Sequence, residues 1–109
     1  MAYAPGAGYP ELADLRATLK VPATVLPDDQ LDVVAAAEQA AQRRLDWGTG
    51  DLPADALGGF IRRCQRHIAA RGVPLGVLGT DSEFGAVRLT SWDAEIDRLE
   101  APYAVPVVA

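Results

Sequence analysis

The chain has 109 residues, a mass of 11.5 kDa, a formal charge of -5 and one cysteine. That is a single domain, able to bury about two thirds of its unfolded surface with little stability margin, so help from neighbouring subunits is expected. The acidic balance argues against a free-standing nucleic-acid binder, whose nonspecific affinity comes from cations that displace counterions from phosphate. A lone Cys64 forms no intrachain disulfide, which points to cytosolic assembly. No run approaches the ~18 apolar residues of a membrane span. The opening Met1-Ala2-Tyr3-Ala4-Pro5-Gly6 lacks a basic n-region with an apolar core behind it, so secretion and membrane association are not expected.

Residues 1–9 hold two glycines, a proline and two tyrosines without a period and read as a loose arm. A first helix is predicted over 11–19, where Leu12, Leu15 and Leu19 keep helical spacing. Pro22 and Pro27 break it. A second helix should start near Asp28, with an acidic first turn of Asp28, Asp29 and Asp32 and an apolar stripe of Leu31, Val34, Ala41 and Leu45. Its many alanines imply close helix contact. Trp47-Gly48-Thr49-Gly50 stops it, and Pro53 opens a third helix over about 53–71.

That third helix has the clearest period in the chain. Leu57, Phe60, Ile61, Cys64 and Ile68 share one face at ~100° per residue, with Arg62, Arg63 and Arg66 opposite. Gly72 and Pro74 end it. Segments 75–78 and 86–89 could pair as a short hairpin within a glycine-bearing loop. Ser91 is the expected N-cap of a fourth helix from Trp92 to about residue 99, and Pro102 and Pro106 then enforce an extended, valine-rich tail over 100–109. The predicted fold is mainly α: one domain over 1–109, a small bundle of about four helices with a loop or short hairpin between the third and fourth.

Sequence motifs for catalysis are missing. One His and one Cys, three residues apart and about 60° apart around one helix, make no ligand pair, so Cys64 reads as a core residue and His67 as a flanking polar one. The glycines match neither a phosphate-cradling Gly-Lys-Ser/Thr loop nor a dinucleotide fingerprint, and Asp81-Ser82-Glu83 lacks the alternating oxygens of a calcium loop. No metal, cofactor or catalytic residue is expected. Arginine is another matter. Segment 54–71 carries four arginines against Asp55, a balance of +3 that leaves -8 on the rest of the chain. Opposite charges on different faces suit head-to-tail contact between identical subunits, the geometry that closes into rings. Arg62, Arg63 and Arg66 are therefore candidates for a subunit interface, in preference to DNA contact, together with the aromatic Phe84 and Trp92. Tyr103, Val105, Val107 and Val108 form an apolar tail suited to docking on a partner.

Two passages carry a resemblance to a known family. One is the helix ending His67-Ile68-Ala69-Ala70-Arg71-Gly72 with Val73-Pro74 beyond it; the other is Trp92-Asp93-x-Glu95-Ile96-x-x-Leu99 leading into Pro102-Tyr103. In this order, after two earlier helices, the layout resembles the head-to-tail connector (adaptor) proteins of long-tailed bacteriophages over most of the chain. The resemblance implies a virion protein, assembled in the host cytoplasm, that forms a ring of twelve identical subunits beneath the portal protein. It also implies a channel through which DNA passes without sequence-specific binding, and a docking surface for the next connector or head-closure protein. A head-closure or tail-completion protein of the same virion is the first alternative, although the β-rich composition usual there is missing. A small helical DNA-binding regulator is the second, and its helix-turn-helix would need a shorter break than 21–27 or 47–53 provides.

Overall fold

A computed structural model describes residues 3–71 and 93–105. The chain is mainly helical: α1 (Leu12–Leu19), α2 (Asp28–Ala41) continued by a 3₁₀ turn (Gln42–Arg44), α3 (Ala54–Ala70), and α4 (Ala94–Glu100) continued by a second 3₁₀ turn (Ala101–Tyr103). Among the described residues there is no strand, only isolated bridges between Gly6 and Tyr9 and between Leu45 and Ala104. The four-helix expectation holds, while the hairpin placed at 75–78 and 86–89 lies outside the described residues.

The core lies where α1, α2 and α3 meet. Leu15 and Leu19 of α1, Leu31, Val34 and Ala35 of α2, and Phe60, Cys64 and Ile68 of α3 are buried together with Val21 and Leu26 of the intervening loop. Each helix turns its 3.6-period apolar stripe inward, and the alanine at 35 lets α2 approach its neighbours closely. One side chain spans the α1–α2 corner. Lys20 takes the left-handed conformation that ends α1, and Arg16 then donates to the Val21 carbonyl at 3.0 Å and to Asp28 at 2.6 Å.

The N-terminal segment departs from the loose arm read in the sequence. Tyr3 is buried, stacks on Phe60 with centroids 5.8 Å apart, and donates its hydroxyl proton to the Pro10 carbonyl at 2.7 Å. Tyr9 meets Phe60 edge-on at 5.0 Å. The core lacks an aromatic lid until these two tyrosines supply it, which is why a segment without periodicity is held. Gly8 makes the approach feasible: its φ is +97°, and a Cβ there would fall 2.8 Å from the Leu52 backbone and side chain. Glutamine 39 fastens the arm from outside, accepting from the Ala4 N–H and donating to the Ala4 carbonyl.

The C-terminal tail also departs from expectation. Residues 101–103 form a 3₁₀ turn with Pro102 at its start, the Tyr103 carbonyl accepts from the Asp46 N–H at 2.8 Å, and Ala104 pairs with Leu45. Residues 101–103 of the tail read as extended from residue 100 are thus part of the folded domain; Ala104 is extended, and residues 106–109 lie outside the described residues. The cap of α4 is Asp93, whose carboxylate accepts from the N–H groups of Glu95 and Ile96 at 2.9 and 3.1 Å; Ser91, the expected cap, lies outside the described residues. No helix among the described residues is long and apolar enough to cross a membrane.

Candidate functional site

The charged chemistry of the molecule converges on the seam between α3 and α4. Three groups of α3 make the receiving surface. Ala56 is fully buried, Gly58 and Gly59 lack side chains, and Arg62, Arg63 and Arg66 flank them. A Cβ on Gly58 would sit 3.5 Å from a Leu99 methyl, and one on Gly59 would sit 3.0 Å from Glu100 Cγ and Oε2. The paired glycines therefore let α4 lie directly on the backbone of α3, with Ile96 buried beneath it.

Ionic clasps hold both ends of α4. At its start, Asp93 receives Arg62 Nε and Arg66 Nε, each at 3.2 Å, with its carboxylate only 8% exposed. At its end, Glu100 is 2% exposed and receives Arg63 through Nε at 2.6 Å and NH2 at 2.7 Å, a two-point guanidinium–carboxylate pair. Gln42, fully buried at the end of α2, donates to Glu100 at 2.9 Å and to the Ala56 carbonyl at 2.8 Å, and accepts from the Tyr9 hydroxyl at 2.9 Å. Arg44 reaches Glu100 from the solvent side at 3.3 Å. Farther along α3, Arg63 approaches Glu38 at 3.8 Å, and Glu38 is hydrogen-bonded to Nδ1 of His67 at 2.8 Å. Among the described residues no buried side-chain nitrogen or oxygen is left without a partner.

The electrostatics follow from this packing. Burial by itself would raise the pKa of Glu100, but the hydrogen bonds from Arg63 and Gln42 and the charges of Arg63 and Arg44 outweigh it and bring the pKa below the ordinary glutamate value. At Asp93 burial likewise acts upward and is overcome by the Ile96 and Glu95 N–H groups and by Arg62 and Arg66, so its pKa is also lowered. Arg63 is raised in turn, first by its bond to Glu100. Cys64 lies in the apolar core, where burial pushes its thiol well above the usual range, so it is a core residue and not a nucleophile.

The arginines read as an open face thus have carboxylate partners within their own chain. Their positions, away from the apolar stripe, are as expected; what covers that side is α4. Tyr103 is half-buried with its carbonyl engaged by Asp46, whereas Val105 is 57% exposed. Phe84, Trp92, Val107 and Val108 lie outside the described residues. Sequence reasoning missed Glu38, Gln42, Asp93 and Glu100 as partners. A signal was there: the series Leu31, Ala35, Glu38, Gln42 keeps the 4-3-4 spacing of a buried stripe, so its two polar members needed partners inside.

One cleft among the described residues, of about 450 Å³, is bounded by Tyr9, Gln39, Gln42, Arg43 and Trp47. Its glutamines are already committed to Ala4, Ala56 and Glu100. Among the described residues no cluster of His, Cys, Asp and Glu could hold a metal ion. The arrangement is built to fasten one helix on another. Set against protein-family models, curated proteins and solved structures, the chain matches none.

Proposed function

We propose that the chain is a structural subunit of a phage virion, a head-to-tail connector (adaptor) that acts by association and performs no bond chemistry. Copies form a ring, of twelve as the resemblance implies, beneath the portal protein. The ring continues the channel through which DNA passes without sequence-specific contact, and it presents a surface to the next connector or head-closure protein. Assembly takes place in the host cytoplasm. Besides the resemblance, the reading is supported by one feature of the fold: the residues just before the valine-rich C-terminal segment are anchored on the domain. Leu45 and Asp46 hold Ala104 and the Tyr103 carbonyl, and beyond them Val105 is 57% exposed. An apolar, valine-rich sequence next to an anchored turn suits strand addition to a partner's sheet edge, in which Val105 and Val107, two apart, would fall on one side of the added strand.

A regulator that reads DNA is less well supported, because its recognition helix would be α3, whose Arg62, Arg63 and Arg66 already face carboxylates. The test is truncation after Ala104, which spares the anchored residues. The shortened chain should keep its fold and lose co-sedimentation with portal particles from the same genome. Normal attachment of the shortened chain would move the docking surface elsewhere, and failure of the full chain to attach would end the connector reading.

A further inference from the structure

The α3–α4 seam is a complete interface between two pieces of chain joined only by residues 72–92. We infer that this seam is also the contact between copies: residues 93–104 of one chain seat on α3 of the next, exchanging place with that chain's own α4. The proposal deepens the ring reading by naming the surface through which copies join, and its test reads exchange alone, so it can fail while portal binding stands.

The occupant is set by complementarity. The α3 surface is two glycines flanked by three arginines, and what fits it has a methyl-bearing side chain over Gly58 and carboxylates at both ends, seven residues apart. Residues 93–100 of a second copy carry that set by identity. The connector is long enough. Its 21 residues reach about 70 Å when extended, well beyond the 41 Å longest dimension of the chain. α4 also brings little of its own to the α1–α2–α3 core: it contributes no residue to that cluster, and it packs mainly on α3. Release of α4 from its own chain therefore leaves the core whole.

Exchange that runs in one direction around a set of copies is head-to-tail and closes on itself, so every arginine of the seam remains paired. Competition decides when it happens. Because α4 is covalently joined to its own α3, it is held there at an effective concentration of order mM, so dilute chains close on themselves and exchange needs crowding or a template that holds copies side by side.

The experiment uses two full-length variants. Arg63→Glu spoils the receiving surface but keeps a native α4, and Glu100→Arg spoils α4 but keeps a native α3. Each alone should show a lowered melting temperature and no defined oligomer. Mixed, the native α4 of the first can seat on the native α3 of the second, and native mass spectrometry should show species containing both chains, increasing with concentration. A second variant reads exchange without disturbing the clasps: Gly58→Cys with Leu99→Cys in a Cys64→Ala background, oxidised at rising concentration. Within-chain closure gives a covalent monomer, whereas exchange gives a ladder of covalent multimers that grows with concentration. The ladder together with mixed species supports exchange; monomer alone at every concentration up to ~mM, with no mixed species, overturns it.

Discussion

Arg63 and Glu100 meet through two parallel hydrogen bonds, at 2.6 and 2.7 Å, across 37 residues of sequence. The Glu100 side chain is 3% exposed and the Arg63 side chain 15% exposed, so the pair joins the end of α4 to the middle of α3 largely out of water. A buried pair of this kind is worth little relative to well-packed apolar residues, yet breaking it from one side strands a charge.

Arg63→Ala should therefore destabilise the domain by about 3 kcal/mol, since among the described residues Gln42 and the largely solvent-exposed Arg44 then remain as partners of Glu100. The double replacement Arg63→Met with Glu100→Met should lie within about 1 kcal/mol of wild type, because Gln42 keeps the Ala56 carbonyl. Urea unfolding of the three proteins measures both. A double variant as unstable as the single one would mean that the charges themselves hold the seam.

Acid should loosen α4 first. Glu100 and Asp93 both have folded pKa values below their unfolded values, so their contribution is fully present above about pH 4.3 and 3.9 respectively and is lost as pH falls through the folded values. Stability should be flat with respect to these groups from about pH 5 to 8 and decline below about pH 4. Glu100→Gln should be less stable at neutral pH and show a shallower acid limb. Equilibrium unfolding from pH 2 to 7, with amide exchange in 94–100, would detect a limb that fails to change.

The two glycines of α3 should respond oppositely to the same change. Gly58→Ala places a methyl in ordinary contact with Leu99 and removes backbone freedom from the unfolded chain, so it should stabilise by about 0.5–1 kcal/mol. Gly59→Ala forces Glu100 off its position 3.0 Å away and should destabilise by about 1–2 kcal/mol. Thermal melts of the pair would show the seam to be looser than described if both variants were stabilised alike.

Asp93 combines a helix cap with a charge. Asp93→Asn keeps an oxygen for the Glu95 and Ile96 N–H groups and loses the attraction for Arg62 and Arg66, so a loss of about 1 kcal/mol is expected; Asp93→Ala loses the cap as well, for about 2 kcal/mol. Equal losses in chemical denaturation would show that the cap adds nothing.

Tyr3 decides whether the N-terminal segment belongs to the core. Tyr3→Phe removes the bond to the Pro10 carbonyl and should lower stability by about 1 kcal/mol, whereas Tyr3→Ala also uncovers Phe60 and should lower it by about 3 kcal/mol. Two variants that unfold with wild-type midpoints would return residues 3–9 to the loose arm that their composition suggests.

Local chemistry by itself determined the helices. Period 3.6 in 57–68, the acidic start of α2 and the prolines at 22, 27 and 53 act within a few residues, so α1 and α3 were legible to within a residue or two of their ends and α2 at its start; α2 itself ends at Ala41, and Leu45, read as part of its stripe, lies in extended backbone beyond the 3₁₀ turn. The same reading placed Arg62, Arg63 and Arg66 away from the apolar stripe of α3 but took distance from that stripe to mean exposure. Only the tertiary structure decided otherwise. A helix has a second face to bury whenever another helix lands on it, and Ala56, Gly58 and Gly59 had already cleared the space in which Asp93 and Glu100 would meet those arginines. Tyr3 was opaque for a like reason: an aromatic without periodic neighbours is buried by what it stacks on, and Phe60 lies 57 residues away. Burial of an isolated side chain is a property of contacts between distant segments, and no local pattern encodes which segments will meet.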